Sequence, residues 1–225
     1  MNAEPTLFDK TIDIAGNWSK YSEELNQVSR EGVSDMLGYL DTKTDFKTAP
    51  ASTRFHLCTE GGLCQHSLNV LKAARELAPI SGHEFEDEQL VITALLHDIC
   101  KTNFYYMKDA WDKEHKEKTN QWRKIKVWGV NDRLPLGHGE KSAILANRHI
   151  DLTKEEMVAI RWHMMWSDPG VHFGYPSGFP FKESLVTCPL LKILAIADFM
   201  AEIRESAPDK PKKKKKQEVA NDMPF

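Results

Sequence analysis

Asp98 follows His97 at the end of an apolar run that begins at Leu90, and Asp198 sits inside Leu190-Leu-Lys-Ile-Leu-Ala-Ile-Ala-Asp-Phe-Met. Both runs are apolar enough to form buried helices, where an ionised carboxylate is costly unless it is paired or bound to a metal. Three further histidines, His66, His138 and His163, are spaced so that they can converge on the same place. Neutral imidazoles and carboxylates suit borderline divalent ions such as Mn, Fe, Co, Ni or Zn. The pattern points to a metal centre that activates water, with no serine or cysteine nucleophile required.

Each residue has a structural explanation when taken singly. His66 can be a satisfied core histidine, Asp98 can pair with Lys101 at i,i+3, Asp198 can cap a neighbouring element, and His138 can face solvent between its glycines. One metal site accounts for all of them together. With Asp98 as a bridge, His66, His97 and Asp198 hold one ion and His138 and His163 the other. Two ions about 3.5–4 Å apart can activate a bridging hydroxide and stabilise a phosphorane-like transition state.

Periodicity supplies the elements that position these residues. Apolar spacing predicts an accessory amphipathic helix over about 22–40, then a polar connection to residue 52. Thr59-Glu-Gly-Gly launches a helix over about 63–77 that carries His66, and Glu86-Asp-Glu opens another over about 86–100 that ends in His97-Asp98. Aromatic residues and the alternation in Lys124-Ile-Lys-Val-Trp-Gly-Val predict a β-hairpin insertion over about 104–135, with a polar turn near 114–120. Helices follow over about 137–149 and 153–165, the latter opened by the Thr153/Glu156 capping pattern. A Gly/Pro-rich loop over 168–180 leads to a helix over about 183–205, whose first turn Pro189 can split off. The expected fold is mainly α, a helical bundle with a small β-hairpin insertion.

The ordered set His66, His97-Asp98, His138, His163 and Asp198 resembles the H…HD…H…H…D signature of the HD superfamily of metal-dependent phosphohydrolases. Gly61-Gly-Leu-Cys-Gln-His-Ser, Ala94-Leu-Leu-His-Asp-Ile-Cys-Lys and Leu194-Ala-Ile-Ala-Asp resemble its GGLxxHS, ALLHDIGK and closing AD blocks, and the likeness covers about 55–203. The resemblance implies His66, His97, Asp98 and Asp198 as ligands of a first ion. It implies His138 and His163 as the extra histidines of a two-metal branch, with one or two divalent ions (Mn, Fe, Co, Ni, Zn or Mg). Lys101 matches a lysine that contacts substrate phosphate, so Asp98 and Lys101 are the expected catalytic pair. The likeness is nearest to the exoribonuclease and phosphodiesterase-like branch, although the OB-type RNA-binding domain of the exonucleases has no counterpart here. Cys100 replaces the usual glycine of HDIGK. Trp162-His163-Met164 offers one histidine where several relatives have two, which leaves the second ion weaker, labile or completed by water or Glu140.

The expected activity is phosphohydrolysis of a nucleotide or a phosphodiester; a di-iron oxygenase of the same ligand order and a non-catalytic nucleotide-binding module are the alternatives. Arg54, Lys141 and Arg161 join Lys101 as candidate phosphate contacts. Phe104, Tyr105, Tyr106, Trp111, Trp128, Trp162, Trp166 and Tyr175 are candidate base-stacking rings, and Asp168 and His172 are candidates for an acid or a lid residue in the Gly/Pro loop.

At 225 residues and 41% hydrophobic, the chain can bury one substantial core. The division expected is an N-terminal accessory helix and linker over 1–52, the metal-binding domain over 53–206 and a disordered tail over 207–225. Lys210 and Lys212 to Lys216 concentrate positive charge in that tail, so the rest of the chain is more acidic than its net −3. The tail is a candidate nucleic-acid contact or a solubilising segment. Cys58, Cys64, Cys100 and Cys188 form no CxxC pair and read as reduced thiols. The N-terminus shows no signal pattern and no apolar stretch can span a bilayer, so a cytoplasmic location without membrane association is expected.

Overall fold

The run 90–96 has no polar face to offer solvent, and the structure, a computed structural model describing residues 12–172 and 179–206, buries all of it. This run is the body of α4 (Asp87–Leu96), at whose start the Gln89 side chain accepts from the Glu86 amide at 3.3 Å. Around α4 pack α1 (Ile14–Asn26), α3 (Gly62–Leu77), α6 (His138–Asn147), α7 (Lys154–Trp162) and α10 (Pro189–Glu205). Helix α10 lies against both α3 and α7, so the bundle closes on itself.

Two helices stand where one accessory helix was expected: α1 is followed, after a break at 27–32, by α2 (Val33–Lys43). Gly32 causes the break by adopting φ +89°, where an added Cβ would lie 1.7 Å from the His149 carbonyl oxygen. Tyr21, Leu25, Met36, Leu40 and Phe46 are fully buried and belong to the same core as α3 and α4. The Tyr21 hydroxyl donates to the Leu95 carbonyl at 2.9 Å, fixing α1 against the end of α4 that leads to the His-Asp pair.

The hairpin is present as β1 (Tyr105–Trp111) and β2 (Lys124–Val130), antiparallel with Tyr105 opposite Val130 and Trp111 opposite Lys124. Its tip is not a polar turn but a short helix, α5 (Lys113–Thr119). Asp112 caps that helix through the His115 amide, and Asn120 ends it at φ 60°. Part of the expected 168–180 loop is helical: α8 (Pro169–His172) precedes the undescribed residues, and α9 (Phe179–Thr187) follows them. Helices α9 and α10 meet at 98°, so Pro189 separates two helices rather than one turn from the rest. No single helix among the described residues is long and apolar enough to cross a membrane.

Two close approaches depend on glycine. A Cβ on Gly62 would lie 2.1 Å from the Leu57 carbonyl oxygen, and one on Gly139 would lie 2.2 and 2.5 Å from the Arg161 and Ile160 carbonyl oxygens. The second contact brings the start of α6, with His138, against the end of α7, where His163 follows. Gly139→Ala should push these helices apart, cost about 1–3 kcal/mol as over-packing does, and weaken metal binding at His138 and His163 more than at His66. Thermal melts with metal titrations test this, and wild-type behaviour in both would refute it.

Candidate metal centre

His97 and His163 each follow the last residue of a helix, α4 and α7, and each ring is turned the same way. His97 Nδ1 donates to the Ala94 carbonyl at 2.8 Å and His163 Nδ1 to the Ile160 carbonyl at 2.7 Å. That hydrogen bond fixes the ring's orientation and leaves Nε2 facing the other site residues. His66, on α3, is held by a carboxylate instead: its Nδ1 lies 2.9 Å from Glu205 Oε2, and Asn69 donates to Glu205 Oε1 at 2.7 Å.

Asp98 stands between the histidines, 2% exposed. Its Oδ2 faces His97 Nε2 at 3.4 Å and His66 Nε2 at 3.7 Å, while its Oδ1 faces His138 Nε2 at 2.5 Å and His163 Nε2 at 3.8 Å. Asp198 Oδ1 closes the first group at 3.1 Å from His66 Nε2 and 3.9 Å from His97 Nε2. Bonds of ~2.0–2.2 Å to one ion hold adjacent donors roughly 3.0–3.6 Å apart, close to this spacing. The nitrogens His97 Nε2 and His163 Nε2 are buried without a hydrogen-bond partner, and Asp198 Oδ1 is buried with His66 Nε2 as its near neighbour at 3.1 Å. Buried polar atoms are rarely left so, and two orphaned imidazole nitrogens beside buried carboxylates fit a cation. Among the described residues four groups could hold an ion: His66, His97 and Asp198; His97, Asp98 and His163; Asp98, Cys100 and His138; and His56, His66 and Glu205; the expected pair His138 and His163 shares none of them.

The electrostatics divide the histidines. Burial alone would lower His66, but contact with Asp198 and Glu205 outweighs it and raises the imidazole to about 10. Burial is likewise overcome at His138, where Cys100 and Asp98 raise it to about 10. His163 goes the other way, to about 3, through burial and the neighbouring His97 and His138. Burial would raise Asp98, yet the Lys101, His97 and His138 charges hold it well below the carboxylate range. An ion binding His66 must therefore displace the Nε2 proton while Nδ1–H stays on Glu205. Below pH about 10 the apparent affinity should rise with pH, about 10-fold per unit for each proton displaced. Calorimetry at neutral pH in buffers of different ionisation enthalpy should show proton release, and its absence would refute this protonation pattern.

A cleft of about 230 Å³ opens onto Asp98, Asp198 and His138, walled by Phe104, Tyr105 and Val130 from the base of the hairpin and by His56 and Glu202. Lys101 lines it with Nζ 2.6 Å from Asp98 Oδ2, so the i,i+3 pair and the site lysine are one and the same. Burial would lower this ammonium; Asp98 more than offsets it and holds it above the usual lysine range. The other expected cations are engaged elsewhere or lie outside. Lys141 pairs with Asp132 at 2.5 Å and lies over the Phe104 ring, and Arg161 pairs with Glu140 and Asp168. Arg54 is exposed and does not line the cleft. Glu140, held by Arg161 and the Gly137 amide, caps α6 and belongs to none of the candidate ion groups among the described residues. Asp168 is a buried partner of Arg161 rather than a group facing the cleft.

Of the rings, Phe104 and Tyr105 reach the cleft, Trp162 is core, Tyr106, Trp111 and Trp166 are exposed, and Trp128 donates to the Cys58 carbonyl. The side chain of His172, the whole of Tyr175 and the lysine tail lie outside the described residues. His56, Glu202 and Glu205 carry no motif and went unmarked in the sequence, yet all three belong to the site. The His56 ring centroid is 4.7 Å from that of His66, and its Nδ1 is 3.3 Å from Glu202 Oε1. Burial, then the His66 and Lys101 charges, lower His56 to about 4. It is therefore neutral at neutral pH, with Nδ1 toward Glu202 and Nε2 buried without a hydrogen-bond partner.

Comparison with known proteins agrees with this geometry. The HD domain family model matches residues 63–201, from the first turns of α3 to the end of α10. A relative, the dihydroneopterin 2',3'-cyclic phosphate phosphodiesterase of Methanocaldococcus jannaschii, is 34% identical over 87 residues, 37% of this chain and 35% of that protein. The chain thus spans about a third of the length of that relative. No solved structure matches it significantly. With that match covering more than half of its length, the chain belongs to the HD-domain family.

Proposed function

We propose that the protein is a metal-dependent phosphohydrolase that cleaves a nucleotide or a phosphodiester. The observation that carries this reading is Asp98, whose two oxygens each face a different histidine pair. His66, His97, Asp98 and Asp198 would hold one ion, and Asp98, His138 and His163 the other. Divalent ions so held supply Lewis acidity toward a phosphoryl oxygen and lower the pKa of a bound water.

The chain's own groups do the rest. A phosphate entering the cleft meets the Lys101 ammonium beside Asp98, which draws its non-bridging oxygens toward the histidines. The cleft is smaller than the pockets that engulf whole ligands, so it takes the phosphoester and its adjoining group. The remainder of the substrate lies along exposed Phe55 and the hairpin base.

The archaeal relative's name makes 2',3'-cyclic phosphates the first substrates to test. Protein purified without chelator should contain divalent metal and release phosphomonoester from 2',3'-cyclic nucleotides, or phosphate or nucleoside from a nucleotide and oligonucleotide panel. Inertness on all of these with Mn, Fe, Co, Ni, Zn and Mg alike would overturn the reading.

A further inference from the structure

Tryptophan is mostly buried in folded proteins, and a group of large apolar side chains left together on the surface marks a contact site. The hairpin carries such a group. Trp111 is 57% and Trp122 54% exposed, with ring centroids 6.1 Å apart, and β1 and β2 pack chiefly on each other. Side chains alternate between the faces of a strand pair, so Tyr105 and Val130, which line the cleft, share a face with Met107, Trp111 and Lys124. That face therefore begins at the cleft and runs out to Trp111, six residues along β1 and about 20 Å away, with a Lys126–Asp109 ion pair between.

Charge follows the same line. Residues 105–130 hold seven lysines and arginines against four acids, in a chain that has 30 against 33 overall. Lys124 Nζ lies over the Trp111 ring, 5.7 Å from its centroid, and Lys116 Nζ over the Trp122 ring at 5.9 Å, so each ring has an ammonium beside it. Aromatic rings interleaved with cations hold single strands with little regard to sequence, because every base has a face to stack and every link a phosphate to pair. An acidic peptide would satisfy the lysines but offers the tryptophans no flat partner.

We propose that this face of the hairpin is a docking surface for single-stranded nucleic acid, with bases stacking on Trp111 and Trp122, phosphates meeting Lys116 and Lys124, and one end of the strand reaching the cleft. This rests on the phosphoester reading above and narrows it: the substrate is an oligonucleotide rather than a lone nucleotide.

The test is binding of the full-length protein to oligouridylates and oligothymidylates, read by tryptophan quenching and by anisotropy of the labelled strand across a salt series. W111A and W122A should each weaken binding ~10–100-fold, the effect of losing one stacked base, and W111F should weaken it less. K124Q should lower the slope of log affinity against log salt by about one. All four variants should hydrolyse a small phosphoester at the wild-type rate, because none of these side chains lines the cleft. K124Q changes only an exposed charge and decides the matter if a tryptophan variant misfolds. Absence of binding at low salt, binding that every variant leaves unchanged, or equal affinity for polyglutamate would overturn the proposal. Hairpin-dependent binding by a protein that hydrolyses no phosphoester would overturn the function above and uphold the docking surface. Hydrolysis of mononucleotides without binding of strands would do the reverse.

Discussion

Asp98→Ala should lose both ions and more than about 10³-fold of the activity, whereas Asp198→Ala should lose chiefly the ion held by His66 and His97. The asymmetry follows from placement. Asp98 offers Oδ2 to one histidine pair and Oδ1 to the other, while Asp198 approaches only His66 and His97. Removing one preorganised electrostatic group from an active site costs about 10²–10³-fold, and Asp98 faces two histidine pairs at once. Asp98→Asn is the sharper variant, because it keeps the shape and removes the charge that balances Lys101 and His138. Metal stoichiometry by elemental analysis, read beside the rate, separates the outcomes. If Asp98→Ala kept one tightly bound ion, the shared-ligand geometry would be wrong.

The second large effect lies away from the site. Arg30→Ala should destabilise the protein by about 3–5 kcal/mol, which for a chain of this size lowers Tm by roughly 6–20 °C. Arg30, between α1 and α2, forks onto fully buried Glu156 at 2.6 and 2.8 Å and reaches Glu88 at 2.6 Å. It thereby joins the starts of α4 and α7, the helices that end at His97 and His163. Deleting the guanidinium leaves the Glu156 charge buried without a counter-charge, with the Thr153 amide still donating to it at 2.8 Å, which costs more than the pair itself contributes. The double variant Arg30→Met, Glu156→Leu should recover most of the loss. Denaturant melts in the metal-free state check both expectations; a single variant within about 1 kcal/mol of wild type would show that Glu156 finds water or another partner.

The helices that carry the ligands were legible because their signals are local. Thr153 and Glu156 sit three apart and cap α7 as the spacing predicted, and Gly61-Gly62 opens α3 where the turn residues placed it. The short helix at the hairpin tip was missed because Asp112 and Asn120, good capping residues, are equally good turn residues. The break before α2 was missed because a lone glycine does not announce a positive φ. Charge was legible as to type but not as to partner. Lys141 and Arg161 read as free cations until the fold placed Asp132, Glu140 and Asp168 beside them.

The sequence by itself determined the candidates for binding metal: the six residues His66, His97, Asp98, His138, His163 and Asp198, with both carboxylates in apolar runs where only pairing or coordination makes them tolerable. Only the tertiary structure decided how those atoms are shared out. His66 meets Glu205 across 139 positions of chain, His56 meets Glu202, and Cys100 meets His138 across 38. Such contacts leave no periodic trace, because they arise where the ends of α3, α4, α6 and α7 are packed against α10. The division of Asp98 between two histidine pairs is a property of that packing, set by glycine-sized gaps and backbone carbonyls that orient the rings.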